Sequence, residues 1–320
     1  MNEKEWFKKA KFGMMIHFGL YSILAGEYKG KRTDQIAEWI QSYYRIPNKE
    51  YSELLNAFNP IYYNPEEWVK LAKAAGMNYI VVTTKHHEGF ALFKTKVSDF
   101  SSYTSTPFKR DLIAELAEAC YKYNMRLGVY YSQELDWHHP HGGGYNNPVS
   151  NEGMSWTNDW DYPDNDKKNY SICYEEKIKP QVEEILKNYG EISLVWFDTP
   201  YTISKEQSDE LYNMVKKYQP NCLVNSRIGN GTFDYESAED NVIPDDVQNH
   251  LYESPITLND TWGFKYCDDN WKTPEKIVKI KNHLNERGAN LLLNVGPDYL
   301  GRIPAPTIEI LNQVGKIINT

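Results

Sequence analysis

Short apolar runs alternate with longer amphipathic stretches along almost the whole of this chain. Residues 14–18 predict a first buried strand. Helical spacing follows over 66–75 and is closed by Gly76, the residue type that ends a helix in a left-handed turn. The run YIVVT at 79–83 is apolar and β-branched without a break, as in a strand buried on both faces. The alternation continues with a helix over 111–123, a strand LGVYY at 127–131, a helix over 170–189 and a strand ISLVWF at 192–197. A helix over 206–218 and a short strand at 222–225 come next. Thr273 as N-cap and Pro274 in the first turn open a helix that runs to 286. A strand NLLLNV at 290–295 and a helix over 307–318 complete the series.

Strand followed by helix, repeated end to end, builds a parallel sheet with helices outside it. Six such units with no nucleotide-binding glycine fingerprint predict an α/β fold of the (β/α)8-like TIM-barrel type rather than a doubly wound sheet. The stretch 229–263 breaks the pattern, so the later strands are expected to be irregular. No repeat, low-complexity tract or linker divides residues 1–320, which are read as one catalytic barrel domain. The longest irregular stretch, 132–168, follows the C-terminal end of a strand, where barrels keep their chemistry.

Composition narrows the partners. A net charge of -9 disfavours nucleic acid and anionic membrane, which both want a basic face. Nine Trp and 25 Tyr supply flat amphipathic rings that pack against the C–H faces of sugars, or against one another in a core. Cys120, Cys173, Cys222 and Cys267 form no CxxC pair, so free thiols are expected. No apolar leader or membrane-length run is present, and a cytoplasmic location is the expectation.

Candidate chemistry gathers where strands end. The first strand runs into His17, and the second into His86, His87 and Glu88. Tyr130 and Tyr131 close the third, Trp196 and Asp198 the fourth, and Arg227 the fifth. A single polar strand end is often a satisfied core residue or a cap. Five at the catalytic end of a barrel make a site. Asp198 is the sharpest: a carboxylate on a rigid strand tip suits a glycosidase nucleophile, with helix capping as its plain alternative. Retention of configuration requires a second carboxyl about 5 Å away. Glu236, Glu239, Asp240 and Glu253 downstream, and Glu38 and Glu88 upstream, are the candidates.

The segments WFKKAKFGMMIHFGLYS, AEWIQSYYRIP, YIVVTTKHHEGFALF, LGVYYSQELDW, LVWFDTP, NSRIGNG, NDTWGF and NLLLNVGPDYLGRIP span nearly the whole chain. In this order they resemble the α-L-fucosidases of glycoside hydrolase family 29. The resemblance implies a (β/α) barrel, here without the C-terminal β-sandwich common in that family. It also implies hydrolysis of terminal α-linked L-fucose with retention, without cofactor or metal, on fucosylated oligosaccharides or glycoconjugates. Carried over by motif, Asp198 is the nucleophile, and His17, His86, His87, Glu38 and Trp39 contact sugar hydroxyls. Tyr130 or Tyr131, together with Trp196 and Arg227, completes the pocket, and Trp262 or Phe264 packs on the C5 methyl. The acid/base shifts between subgroups of the family; Glu253 is expected first and Glu239 second.

Two rival readings stand beside this one. A metal-dependent barrel hydrolase would use His17, His86, His87 and Asp198 as ligands, but neighbouring histidines on one strand point to opposite sides. A non-catalytic sugar-binding barrel would keep the aromatics and lose the chemistry.

Overall fold

A computed structural model describes residues 3–147 and 153–319. Eight parallel strands form the sheet: β1 (Phe12–Ile16), β2 (Tyr79–Lys85), β3 (Arg126–Tyr131), β4 (Leu194–Phe197), β5 (Leu223–Val224), β6 (Glu236–Ser237), β7 (Tyr252–Thr257) and β8 (Ala289–Val295). Each strand from β1 to β4 pairs with the next, β6 pairs with β7, β7 with β8, and β8 returns to β1. The circuit closes between β5 and β6 through one parallel bridge, Asn225 to Tyr235. The expected barrel is present with its full strand count, and the strands that sequence pattern missed are β6 and β7.

The predicted helices form with the caps their sequences carry. Asn64 accepts from the Glu67 N–H ahead of Pro65–Ala74, and Asp111 accepts from the Ala114 N–H ahead of Leu112–Lys122. Ser204 and Gln207 make a reciprocal capping box at the start of Lys205–Tyr218, and Thr273 caps Pro274–Glu286. Among the described residues no α-helix lies between β5 and β6 or between β6 and β7. That gap is the irregularity expected of 229–263. No helix among these residues is long and apolar enough to cross a membrane.

Strand alternation sorts the apolar residues into two layers. Phe12, Met14 and Ile16 of β1, Ile80 and Val82 of β2, and Leu127, Val129 and Tyr131 of β3 face the surrounding helices. Met15, Tyr79, Val81, Tyr130, Leu194, Trp196, Leu223 and Leu292 fill the barrel interior, closed from below by Trp6, Phe7 and Ala10 of the helix Glu3–Ala10. The four cysteines are free; three are buried and Cys267 is exposed.

Candidate active site

A cavity of about 410 Å³ opens at the C-terminal mouth of the barrel, lined by His17, Glu38, Trp39, His86, His87, Tyr130, Trp196, Asp198, Arg227 and Trp262 among others. Of the residues expected in a sugar pocket, these ten converge. Asp198 follows the last residue of β4 and is held from three sides. Its Oδ2 accepts from the Tyr130 hydroxyl (2.8 Å), and its Oδ1 from Arg227 Nη1 (3.0 Å) and the Thr199 N–H (3.1 Å). Its own N–H donates to Gln133 Oε1 (2.7 Å). Thr199 takes φ 54°, a left-handed conformation that costs a β-branched residue roughly 1–3 kcal/mol. The kink turns the chain away and leaves the carboxylate at the mouth.

The imidazoles form one wall. His17 Nδ1 lies 2.7 Å from Asn294 Oδ1, and His87 Nδ1 lies 2.7 Å from Ser132 Oγ. His86 and His87 sit past the end of β2, so strand alternation does not separate them. Their rings lie 4.0 Å apart and both face the cavity, which corrects the expectation of opposite sides. Burial lowers His17 from its ordinary 6.5 to about 4. Burial, with the neighbouring cationic forms, holds His86 and His87 well below theirs. The 3.7 Å approach of His87 Nε2 to Asp198 is therefore a neutral polar contact at pH 7 rather than an ion pair. His86 Nδ1 is buried with no partner and can hydrogen-bond an entering hydroxyl.

A lowered histidine pKa carries a definite sign. Stability is fully present above the unfolded value near 6.5 and is lost as pH falls towards the folded value. For His17, a shift from 6.5 to about 4 corresponds to about 3 kcal/mol. His17→Gln should therefore lose less melting temperature between pH 6.5 and 4 than the parent chain, as read by calorimetry. Parallel melting curves would show that His17 carries no such linkage.

Glu38 also lines the cavity. Its Oε2 accepts from the Gly263 N–H (2.9 Å) and from Thr261 (3.2 Å), and its Oε1 is buried without a partner. Burial pushes its carboxyl up to about 7. The Trp39 ring meets His87 at 5.1 Å and Trp156 at 4.9 Å, and Trp262 packs 5.3 Å from His17.

Four expectations change place. Tyr131 alternates outward from Tyr130, and its hydroxyl donates to Gln181 (2.8 Å), so Tyr130 is the pocket tyrosine. Phe264 does not line the cavity, and Trp262 does. Glu88 lies behind the wall, accepting from the Leu20 N–H (2.9 Å) and the Tyr51 hydroxyl. Glu253, the expected proton donor, is fully buried in the barrel floor and does not reach the cavity. Its oxygens are taken by Trp196 Nε1 (3.0 Å) and the Tyr79 hydroxyl. The other carboxylates lining the cavity, besides Asp198 and Glu38, are Glu239 and Asp240, in the loop after β6. Arg227 Nη2 donates to Asp240 Oδ1 (2.6 Å) while Nη1 holds Asp198, so one guanidinium spans both carboxylates. Sequence reading missed Met15, Ile36, Met154, Trp156 and Tyr201, which also line the cavity. Trp156 and Tyr201 were legible only as aromatics in long loops.

A metal would need several converging ligands. Among the described residues no three His, Cys, Asp or Glu side chains are grouped to hold one. Neutral imidazoles, indole walls and a braced carboxylate at a barrel mouth define a glycosidase-type site. The family model described as Alpha-L-fucosidase matches residues 1–320, and the chain belongs to that family.

The chain is 28% identical over 338 residues to a putative α-L-fucosidase of Caenorhabditis elegans, covering 98% of this chain and 64% of that protein. It is 29% identical over 335 residues to the tissue α-L-fucosidase of Homo sapiens, covering 97% of this chain and 66% of that one. It thus spans about two thirds of the length of these relatives. The unliganded α-L-fucosidase AlfC of Lactobacillus casei superposes with a TM-score of 0.95 at 53% identity, over 99% of this chain and 98% of that one.

Proposed function

We propose that this chain hydrolyses terminal α-linked L-fucose with retention, using Asp198 as nucleophile and Asp240 as acid/base. The observation that carries the reading is the Arg227 fork, which places one carboxylate at the cavity floor and another at its rim. Retaining glycosidases set such a pair about 5–5.5 Å apart. Asp198 attacks C1 while a protonated Asp240 gives its proton to the departing oxygen, and a fucosyl ester forms. Asp240 then takes a proton from water, which attacks C1 and releases Asp198.

The neutral walls fit a neutral sugar. His86 Nδ1 and Glu38 Oε1, both without partners, match ring hydroxyls, and Met15 with Trp262 offers the apolar side that a C5 methyl needs. One mutant of the AlfC enzyme has been solved with 4-nitrophenyl-α-L-fucopyranoside and with Fucα(1,6)GlcNAc. We extend that substrate class, fucosylated glycans, to this chain. Trp156 and Tyr201, rings 5.2 Å apart on the rim, then receive the leaving sugar.

The test is turnover of 4-nitrophenyl α-L-fucoside beside the galactoside and glucoside analogues, with and without EDTA. The expected result is turnover of the fucoside alone, at a rate EDTA leaves unchanged. Loss of rate in EDTA would favour a metal-dependent hydrolase, and no turnover of any glycoside would favour a sugar-binding barrel.

A further inference from the structure

Glu253 is the unexplained carboxyl of this barrel. It lies on the inward face of β7, level with Asn290 of β8, and has no exposure to solvent. Burying an acid is unfavourable, and an apolar residue would fill the same space without that cost. Burial indeed pushes its carboxyl up to about 7. Both of its oxygens are nevertheless engaged. Tyr79 reaches across from the start of β2 to one of them, over Gly13, where any Cβ would sit 2.4 Å from the Tyr79 ring. Trp196 of β4 donates its indole N–H to the other at 3.0 Å.

That indole is a seat for other groups. The Tyr130 ring stacks on it with centroids 5.4 Å apart and planes 19° from parallel. The Arg227 guanidinium lies 4.6 Å from its ring centroid. Tyr130 and Arg227 are the two side chains that hold the Asp198 carboxylate. We propose that Glu253 is a positioning residue for the nucleophile, fixing the rotation of Trp196 and, through it, the two side chains that aim Asp198. The relay runs from the barrel floor to the reacting carboxylate through one hydrogen bond, one aromatic plane and two donors. It rests on the fucosidase reading for its kinetic consequence, and its structural half can be read without activity.

The groups facing Glu253 are Tyr79 from β2, Trp196 from β4, Arg227 beyond β5 and Tyr235 ahead of β6, whose buried hydroxyl has no partner. Glu253→Gln keeps an oxygen for the Trp196 N–H and removes the charge. Tyr79→Phe leaves the carboxyl and removes one of its two donors, which keeps the test available if the first variant folds poorly. Both should lower kcat for 4-nitrophenyl α-L-fucoside, Glu253→Gln by roughly 10- to 100-fold, with KM held within about 2-fold, because positioning rather than binding is lost. Glu253→Gln and Trp196→Phe should combine non-additively, since the first takes the charge from the acceptor and the second removes the donor of the same link. The indole N–H resonance of Trp196, identified by its loss in Trp196→Phe, should shift as pH crosses neutrality in the parent chain and stay flat in Glu253→Gln. A wild-type kcat in both folded variants, additive effects, or a Trp196 resonance that neither pH nor Glu253→Gln moves would overturn the proposal. If the parent chain turns over no fucoside but the resonance behaves as stated, the relay stands and the fucosidase reading fails.

Discussion

Asp198→Ala is expected to lower kcat on 4-nitrophenyl α-L-fucoside by roughly 10⁴-fold or more, about 5 kcal/mol of barrel-derived transition-state stabilisation. On the proposed mechanism the carboxylate makes the bond to C1, and the imidazoles and Arg227 cannot replace it. Their neutral or cationic nitrogens bind hydroxyls and steady the carboxylate, but none lies where Asp198 Oδ1 and Oδ2 are held. Removing the side chain leaves a gap that a small anion can enter. Azide should therefore restore part of the rate and yield the β-fucosyl azide, since only one displacement then occurs at C1. A variant with near-parental turnover, or one whose azide product keeps the α configuration, would remove Asp198 from the nucleophile's role.

Asp240→Ala should separate substrates by leaving group. Proton donation contributes about 10²- to 10⁴-fold where the departing oxygen is a poor leaving group, as in an α1,6-linked disaccharide. Nitrophenolate departs without that help, so kcat/KM for the aryl fucoside should fall far less. Azide should here intercept the fucosyl-enzyme and give the α-fucosyl azide, the retained product. Parallel variants of Glu239 and Glu253 provide the comparison. An α-azide from Glu239→Ala and none from Asp240→Ala would transfer the donor role to Glu239. Glu253→Ala should give none, because its carboxyl lies beneath the Trp196 ring and not beside a leaving group.

Much of this architecture is visible in the order of residues, and the failures have physical causes. The long buried strands announce themselves because both faces are apolar, as in YIVVT and ISLVWF. β6 has two residues and β7 reads YESPIT, with a proline and a buried acid inside it, so neither shows a period. The misplacement of Glu253 follows directly. In a parallel barrel the chemistry sits at C-terminal strand ends, and Glu253 is the second residue of its strand. With the start of β7 hidden, the depth of Glu253 was hidden as well, and an aromatic neighbourhood in sequence passed for one at the mouth. His86 and His87 show the same dependence on strand limits, since β2 stops at Lys85 and frees both rings to turn inward. Asp198 was legible because its strand was. Asp240, the proposed proton donor, was not singled out, because a carboxylate in a helix-free loop carries no periodic signal.

The single bridge between Asn225 and Tyr235 divides labour within the barrel. Asp198 stands on β4, paired to β3 through four residues and backed by Lys179–Asn188 and Lys205–Tyr218. Asp240 hangs from β6, a two-residue strand that has no helix after it, joins β5 at that one bridge and pairs with β7 through two residues. Changes around Asp240, the proposed donor, therefore disturb fewer strand pairings than the same changes beside Asp198. On the proposed reading, a change in the linkage cleaved can arise on that side while the Asp198 carboxylate stays where it is.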